Sequence, residues 1–81
     1  MASHAGGSVS TAAGDASFAH GTDTRAYGTH SSAFGNGTIA TRDNSFVIGK
    51  FNIESDDLIF GVGCGYDNSN RQNALALYAE D

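Results

Sequence analysis

The chain has 81 residues, a net charge of −5, only four Lys and Arg residues, and one cysteine. So few basic residues argue against a nucleic-acid partner, and no apolar run is long enough to insert into a membrane. A chain of this length is one domain at most and buries a small core, and a single cysteine cannot form an internal disulfide. We therefore expect self-association to supply part of its stability.

A seven-residue pattern fills the sequence from residue 3 to residue 49. It reads Ser or Thr, any residue, a small residue, any residue, Gly, and two free positions, and its seven copies begin at Ser3, Ser10, Ser17, Thr24, Ser31, Thr38 and Ser45. The glycine is missing only in the sixth copy, where Arg42 stands. We interpret Arg42 as a local bulge or as the end of the last complete turn. A repeat of this kind predicts a solenoid.

The repeat predicts short β-strands because side chains alternate between the two faces of a strand. The three small positions then share one face and can pack closely inside a coil with two strands per 14-residue turn. A coiled coil is disfavoured because Gly costs about 1 kcal/mol at each helical site. We predict an all-β fold, a parallel β-roll (β-solenoid), whose interior is formed by Ala12, Ala19, Ala26, Ala33, Ala40 and Val47.

The bulky residues of the repeat are predicted to point out of the coil. In alternate copies they become strongly apolar toward the C-terminal end, and we predict that Phe18, Phe34, Phe46 and Ile48 form an interface with other copies of the chain. The intervening copies contain Arg25 and Tyr27, residue types that are common binding anchors. This pair is the candidate surface contact, although a plain solvent-facing strand is the commoner explanation.

After the repeats, residues 50–57 break the pattern, since Glu54 stands where alanine is required and residues 55–57 have turn composition. We interpret them as a loop leaving the roll. Strands are predicted near 58–63 and 73–78, the second with Leu75 and Leu77 on one face. The chain is thus divided into a β-roll at 3–49 and a C-terminal β-region at 50–81, a short hairpin.

No constellation of catalytic or metal-binding residues is apparent. His4 and His20 occupy different positions of their copies and His30 lies in a connection, so we predict no metal site and no cofactor. The alternative is a trimer that gathers three copies of His20 near its axis and holds an ion there, but a polar residue at a strand end is the commoner explanation. Cys64, between two glycines, is interpreted as a small buried residue. A carbohydrate-cleaving enzyme would need paired carboxylates, but the three aspartates of the roll all lie in connections. An ice-binding face would need a threonine ladder, which the sequence lacks.

The repeat resembles the head repeats of trimeric autotransporter adhesins (YadA-like heads), and similar repeats occur in phage and prophage tail proteins. The first copy, SHAGG at 3–7, is similar to the phage version. The residues after the roll also resemble phage tail proteins in three stretches: GKFN at 49–52, FGVG at 60–63 and NRQNA at 70–74.

The resemblance implies a left-handed parallel β-roll that forms a homotrimer with its hydrophobic strands along the threefold axis. It implies a non-enzymatic attachment or spacer module of a phage tail fibre, tailspike or tail tip, located in the virion tail. The alternative is the head of a bacterial autotransporter adhesin at the cell surface. In both cases the partner, besides sister chains, would be an extracellular host-surface glycan or protein.

Overall fold

The computed structural model describes residues 3–79, and these form nine β-strands and no helix. The strands are β1 (His4–Ser8), β2 (Thr11–Ala12), β3 (Phe18–Thr22), β4 (Arg25–Ala26), β5 (Ser32–Asn36), β6 (Ile39–Ala40), β7 (Phe46–Lys50), β8 (Leu58–Cys64) and β9 (Asn73–Tyr78). Strands β1, β3, β5, β7, β8 and β9 form, in that order, a six-stranded sheet, and β2, β4 and β6 form a three-stranded sheet.

From β1 to β8, neighbouring strands of each sheet pair in parallel at an offset of 14 residues, so that Ala5 lies beside Ala19 and Ala19 beside Ala33. The predicted all-β solenoid with two strands per turn is confirmed, and it has about four turns. The two strands of a turn differ in length, five residues in the larger sheet and two in the smaller. The left hand of the coil and its trimeric state stay predictions.

The interior of the coil is a column of small side chains. Five of the six predicted interior residues have no exposed surface, namely Ala19, Ala26, Ala33, Ala40 and Val47. Ala12 is only partly buried because it lies in the first described turn and has a neighbouring turn on one side. Leu58 closes the other end of the column and is 2% exposed.

Three serines of the repeat, Ser17, Ser31 and Ser45, are also buried, and each satisfies its hydroxyl locally. The hydroxyls of Ser17, Ser31 and Ser45 all donate, at 2.6 Å, to the carbonyl of the residue three positions earlier. Within residues 3–79 no buried side-chain nitrogen or oxygen lacks a hydrogen-bond partner. The coil therefore buries polar side chains without the penalty of leaving them unpaired.

The corners of the coil lie at one of the free positions of the repeat. Every seventh residue has a left-handed backbone, with φ between 45° and 69°, at Val9, Ala16, Asp23, His30, Gly37, Asn44 and Phe51. The repeat glycine has another role. Gly35 has a φ of 118°, and a Cβ atom there would overlap the carbonyl oxygen of Gly49 in the next turn. Because it has no side chain, this glycine lets the backbones of successive turns lie close together.

The larger sheet continues beyond the last copy of the repeat. Residues 50–57, interpreted above as leaving the roll, instead return the chain to the sheet edge, where β8 pairs with β7 in parallel. Phe60 lies beside Phe46, which keeps the 14-residue offset. Strand β9 then pairs with β8 in antiparallel orientation, forming the hairpin. Only the smaller sheet ends at β6.

Candidate interaction surface

The outward side of the six-stranded sheet is lined by large apolar residues. Because alternate residues of each strand point away from the alanine column, the 14-residue offset aligns them in two rows across the strands. We call the apolar face the set formed by Phe18, Phe34, Phe46, Ile48, Phe60, Val62, Leu75 and Leu77. It crosses five neighbouring strands of the sheet, from β3 to β9.

The aromatic rings of the apolar face form a continuous column along the solenoid. The ring of Phe18 lies 5.1 Å from that of Phe34, and Phe34 lies 5.4 Å from Phe46, both with an edge-to-face geometry. Phe46 then stacks on Phe60 at 5.9 Å. These distances are typical of favourable aromatic pairs. The contacts fix the rings relative to one another, so the face is ordered in a single chain.

A single chain leaves much of the apolar face in contact with water. Phe46 is 38% exposed, Leu75 45% and Leu77 50%, while Phe18, Phe34, Ile48, Phe60 and Val62 are half-buried. Soluble monomers rarely expose such a continuous apolar patch, which is typical of a protein interface. Its burial would be favourable by about 25 cal/mol for each Å² removed from water.

All four predicted interface residues, Phe18, Phe34, Phe46 and Ile48, lie on the apolar face. Sequence reasoning missed Phe60 and Val62, which sit 14 residues after Phe46 and Ile48 and extend the two rows. That spacing was a usable signal, although the serine and alanine of the repeat are absent around it. Leu75 and Leu77 were expected to share a face, and they join the rows through the pairing of β9 with β8.

Arg25 and Tyr27 lie on the opposite side of the coil, in and just after β4 of the smaller sheet. The guanidinium of Arg25 donates to the Asp23 carboxylate at 3.1 Å, and Tyr27 is 44% exposed. Since the positive charge of Arg25 is already paired with Asp23, the ring of Tyr27 is the more available of the two side chains for contact with a partner. The two residues are adjacent but form no cavity, because among residues 3–79 the structure contains no pocket.

Cys64 is exposed, and the prediction of a buried thiol was wrong. The 14-residue offset places it beside Lys50, at a position that follows the outward Phe60 and Val62 along β8. The three histidines are also exposed. His30 occupies a corner, whereas His4 and His20 lie on neighbouring strands of the larger sheet.

In the part of the chain that the structure describes, no three His, Cys, Asp or Glu residues are grouped so as to hold a metal ion, and no helix could cross a membrane. The chain matches no protein family model, no curated protein and no solved structure. The surface itself is therefore the main guide to function, and its most distinctive feature is the apolar face.

Proposed function

We propose that this chain is a non-enzymatic structural or attachment module that acts as a homotrimer, of the kind found in phage tail fibres, tailspikes and tail tips. The observation that supports the proposal most directly is the apolar face, an ordered aromatic column that one chain leaves partly exposed. Sister chains are its best occupant, because the same face on each copy is apolar and regular. The number three comes from the resemblance of the repeat to trimeric heads.

A trimer built this way suits a shaft or a head. Each chain is a stack of parallel strands tied by backbone hydrogen bonds, and it grows along one direction by about 4.8 Å per turn. Three such stacks joined along their apolar faces would form a stiff column whose outer sides expose Arg25 and Tyr27 with their neighbouring turns. That outer surface would bind a host-surface glycan or protein. Otherwise the trimer would act as a spacer between the parts of the assembly that bind the host and the parts that anchor it.

The trimer can be tested by light scattering coupled to size-exclusion chromatography. The wild-type chain, 8.3 kDa by sequence, should elute at three times that mass. The double variant Phe34→Ser, Phe46→Ser should elute as a monomer because it interrupts the aromatic column at its centre. The matched control, Tyr27→Ser, removes an exposed aromatic ring from the opposite side and should stay trimeric. A monomeric wild-type chain would overturn the proposal.

Attachment can be separated from spacing by binding to an array of bacterial surface glycans. If the module attaches, binding should fall in the variants Arg25→Ala and Tyr27→Ala while the bound glycans keep their length. If an intact trimer binds none of them, the spacer role is favoured. Shortening of the glycans would contradict the non-enzymatic proposal.

A further inference from the structure

His4 and His20 lie next to each other on the outward side of the larger sheet, one on β1 and one on β3. Strand pairing places Gly6 directly beside His20 and His4 directly beside Phe18, so the two histidines are diagonal neighbours. Their different positions in the repeat had argued against convergence. The parallel offset reverses that expectation. His20 lies beside Gly6, two residues along from His4 on the neighbouring strand, and such diagonal neighbours are close in a sheet.

The two imidazoles flank the space that a side chain at residue 6 would fill. A Cβ atom built on Gly6 would lie 3.2 Å from Nε2 of His20 and 3.4 Å from Nε2 of His4. It would also lie 2.7 Å from Cδ2 of His20, closer than real Cβ atoms come to other atoms. Both ring nitrogens therefore border one small gap, and the gap exists because residue 6 is glycine.

The rings are held in place but their nitrogens are uncommitted. The imidazole of His4 stacks on Phe18 with a centroid distance of 4.5 Å, and that of His20 lies 6.4 Å from the same ring. Within residues 3–79 neither imidazole takes part in a hydrogen bond or an ion pair, and both side chains are exposed. Two oriented, solvent-accessible nitrogen donors next to one gap are suited to share a ligand.

We propose that His4 and His20 of one chain together bind a divalent transition-metal ion such as Zn²⁺. Neutral imidazole is a preferred ligand of zinc, with bonds of about 2.0–2.1 Å. Two nitrogens on one such ion are separated by roughly 3–3.5 Å at tetrahedral geometry, which nitrogens that both border the Gly6 gap can satisfy. Water would fill the remaining positions of the ion. The site needs only one chain, so it does not depend on the proposed trimer.

Zinc binding can be measured by isothermal titration of the full, untagged chain. All proteins in the series should contain Cys64→Ser, which removes the exposed thiol as a competing ligand. We expect one ion per chain, and His4→Gln or His20→Gln should each weaken binding at least tenfold. The matched control is His30→Gln, which removes an exposed histidine at a corner and should bind as the parent does.

A second variant tests the geometry while keeping both ligands. Gly6→Ala adds a methyl group that displaces the His20 ring, and the backbone of Gly6 is not left-handed, so the strand itself tolerates alanine. Binding should fall at least fivefold, with an unchanged β-sheet circular dichroism spectrum. Imidazole ¹⁵N resonances of His4 and His20, but not of His30, should shift on adding Zn²⁺ to the parent.

Three results would overturn the site. The first is equal binding by the parent and by His20→Gln. The second is one ion for every three chains, which would require ligands from different chains. The third is undiminished binding by Gly6→Ala. The second result would reject a site within one chain while supporting an assembly of three chains. The mass of the assembly is measured separately by light scattering, so the metal site and the trimer can fail separately.

Discussion

The side-chain amide of Asn52 pairs with the backbone of Ile39 as a neighbouring strand would. Its Oδ1 accepts from the Ile39 N–H at 2.8 Å, and its Nδ2 donates to the Ile39 carbonyl at 3.1 Å. Asn52 is completely buried, and it meets β6 where the smaller sheet has no further strand. Asn73 repeats the arrangement on Ile53, accepting from its N–H at 2.9 Å. The Asn52 amide thus terminates the smaller sheet.

We predict that Asn52→Leu destabilises the chain by about 2–4 kcal/mol, since it leaves both the N–H and the carbonyl of Ile39 buried without partners. Chemical denaturation by urea would measure the loss. Asn73→Leu is the matched control, because its bonds to Ile53 are exposed and water can replace them. Equal losses in the two variants would show that burial of the amide is not what matters.

The corner at Val9 offers a stabilising substitution. Val9 has a φ of 58° and is 76% exposed, so a β-branched residue holds a left-handed backbone while burying little surface. Asn44 holds the same left-handed backbone at another corner of the coil, with a φ of 61°, and asparagine tolerates this conformation better than valine. Val9→Asn should raise the stability by about 1 kcal/mol, or the melting temperature by about 5 °C. Val9→Ile keeps the strain and should show no gain in a thermal melt.

The alanine column predicts a strong limit on side-chain size. Ala33 has no exposed surface and packs between turns whose backbones are parallel neighbours. Ala33→Leu should cost at least about 3 kcal/mol, because overpacking has to push successive turns apart. Ala13→Leu makes the same change at an exposed position and should stay within about 0.5 kcal/mol. Urea titrations of both variants and the parent would measure their free energies of unfolding. An Ala33→Leu variant as stable as the parent would contradict a tightly packed interior.

Arg71 connects the last loop to the body of the solenoid. Its Nη1 donates to the carbonyls of Gly37 at 2.8 Å and Asn52 at 3.1 Å, and its guanidinium lies 5.6 Å from the Phe51 ring. Arg71→Ala should cost about 2 kcal/mol, since charged hydrogen bonds to backbone carbonyls are lost.

The loss from Arg71→Ala should be accompanied by faster amide exchange at Gly65 and Tyr66, measured by NMR. Arg71→Lys keeps the charge without the planar fork and should recover less than half of the loss. Arg25→Ala, which removes only a partly exposed ion pair with Asp23, should be nearly neutral. Unchanged exchange at Gly65 would show that Arg71 does not hold the loop.

The candidate surface could be predicted where the repeat is intact. Alternation within a strand was enough to place Phe18 and Phe46 on the outside, and the structure has them on the apolar face. Phe60 was not predicted to lie on the apolar face because the sequence around it lacks the serine and alanine of the repeat, and Gly61 stands in the position of Val47. The proximity of His4 and His20 was not predicted from the sequence because it depends on which residues lie side by side in neighbouring strands. This register between strands is set by the length of the whole turn.

The sequence alone determined the all-β solenoid, its 14-residue turn and its small-residue interior, because a period of seven with alternating small side chains suits few other backbones. Tertiary structure alone decided where the coil stops. The larger sheet accepted β8 and β9, whose apolar residues continue the outward rows without the repeat. The smaller sheet ended on the amide of Asn52, since only a folded chain can bring a buried side chain to the unpaired backbone of Ile39.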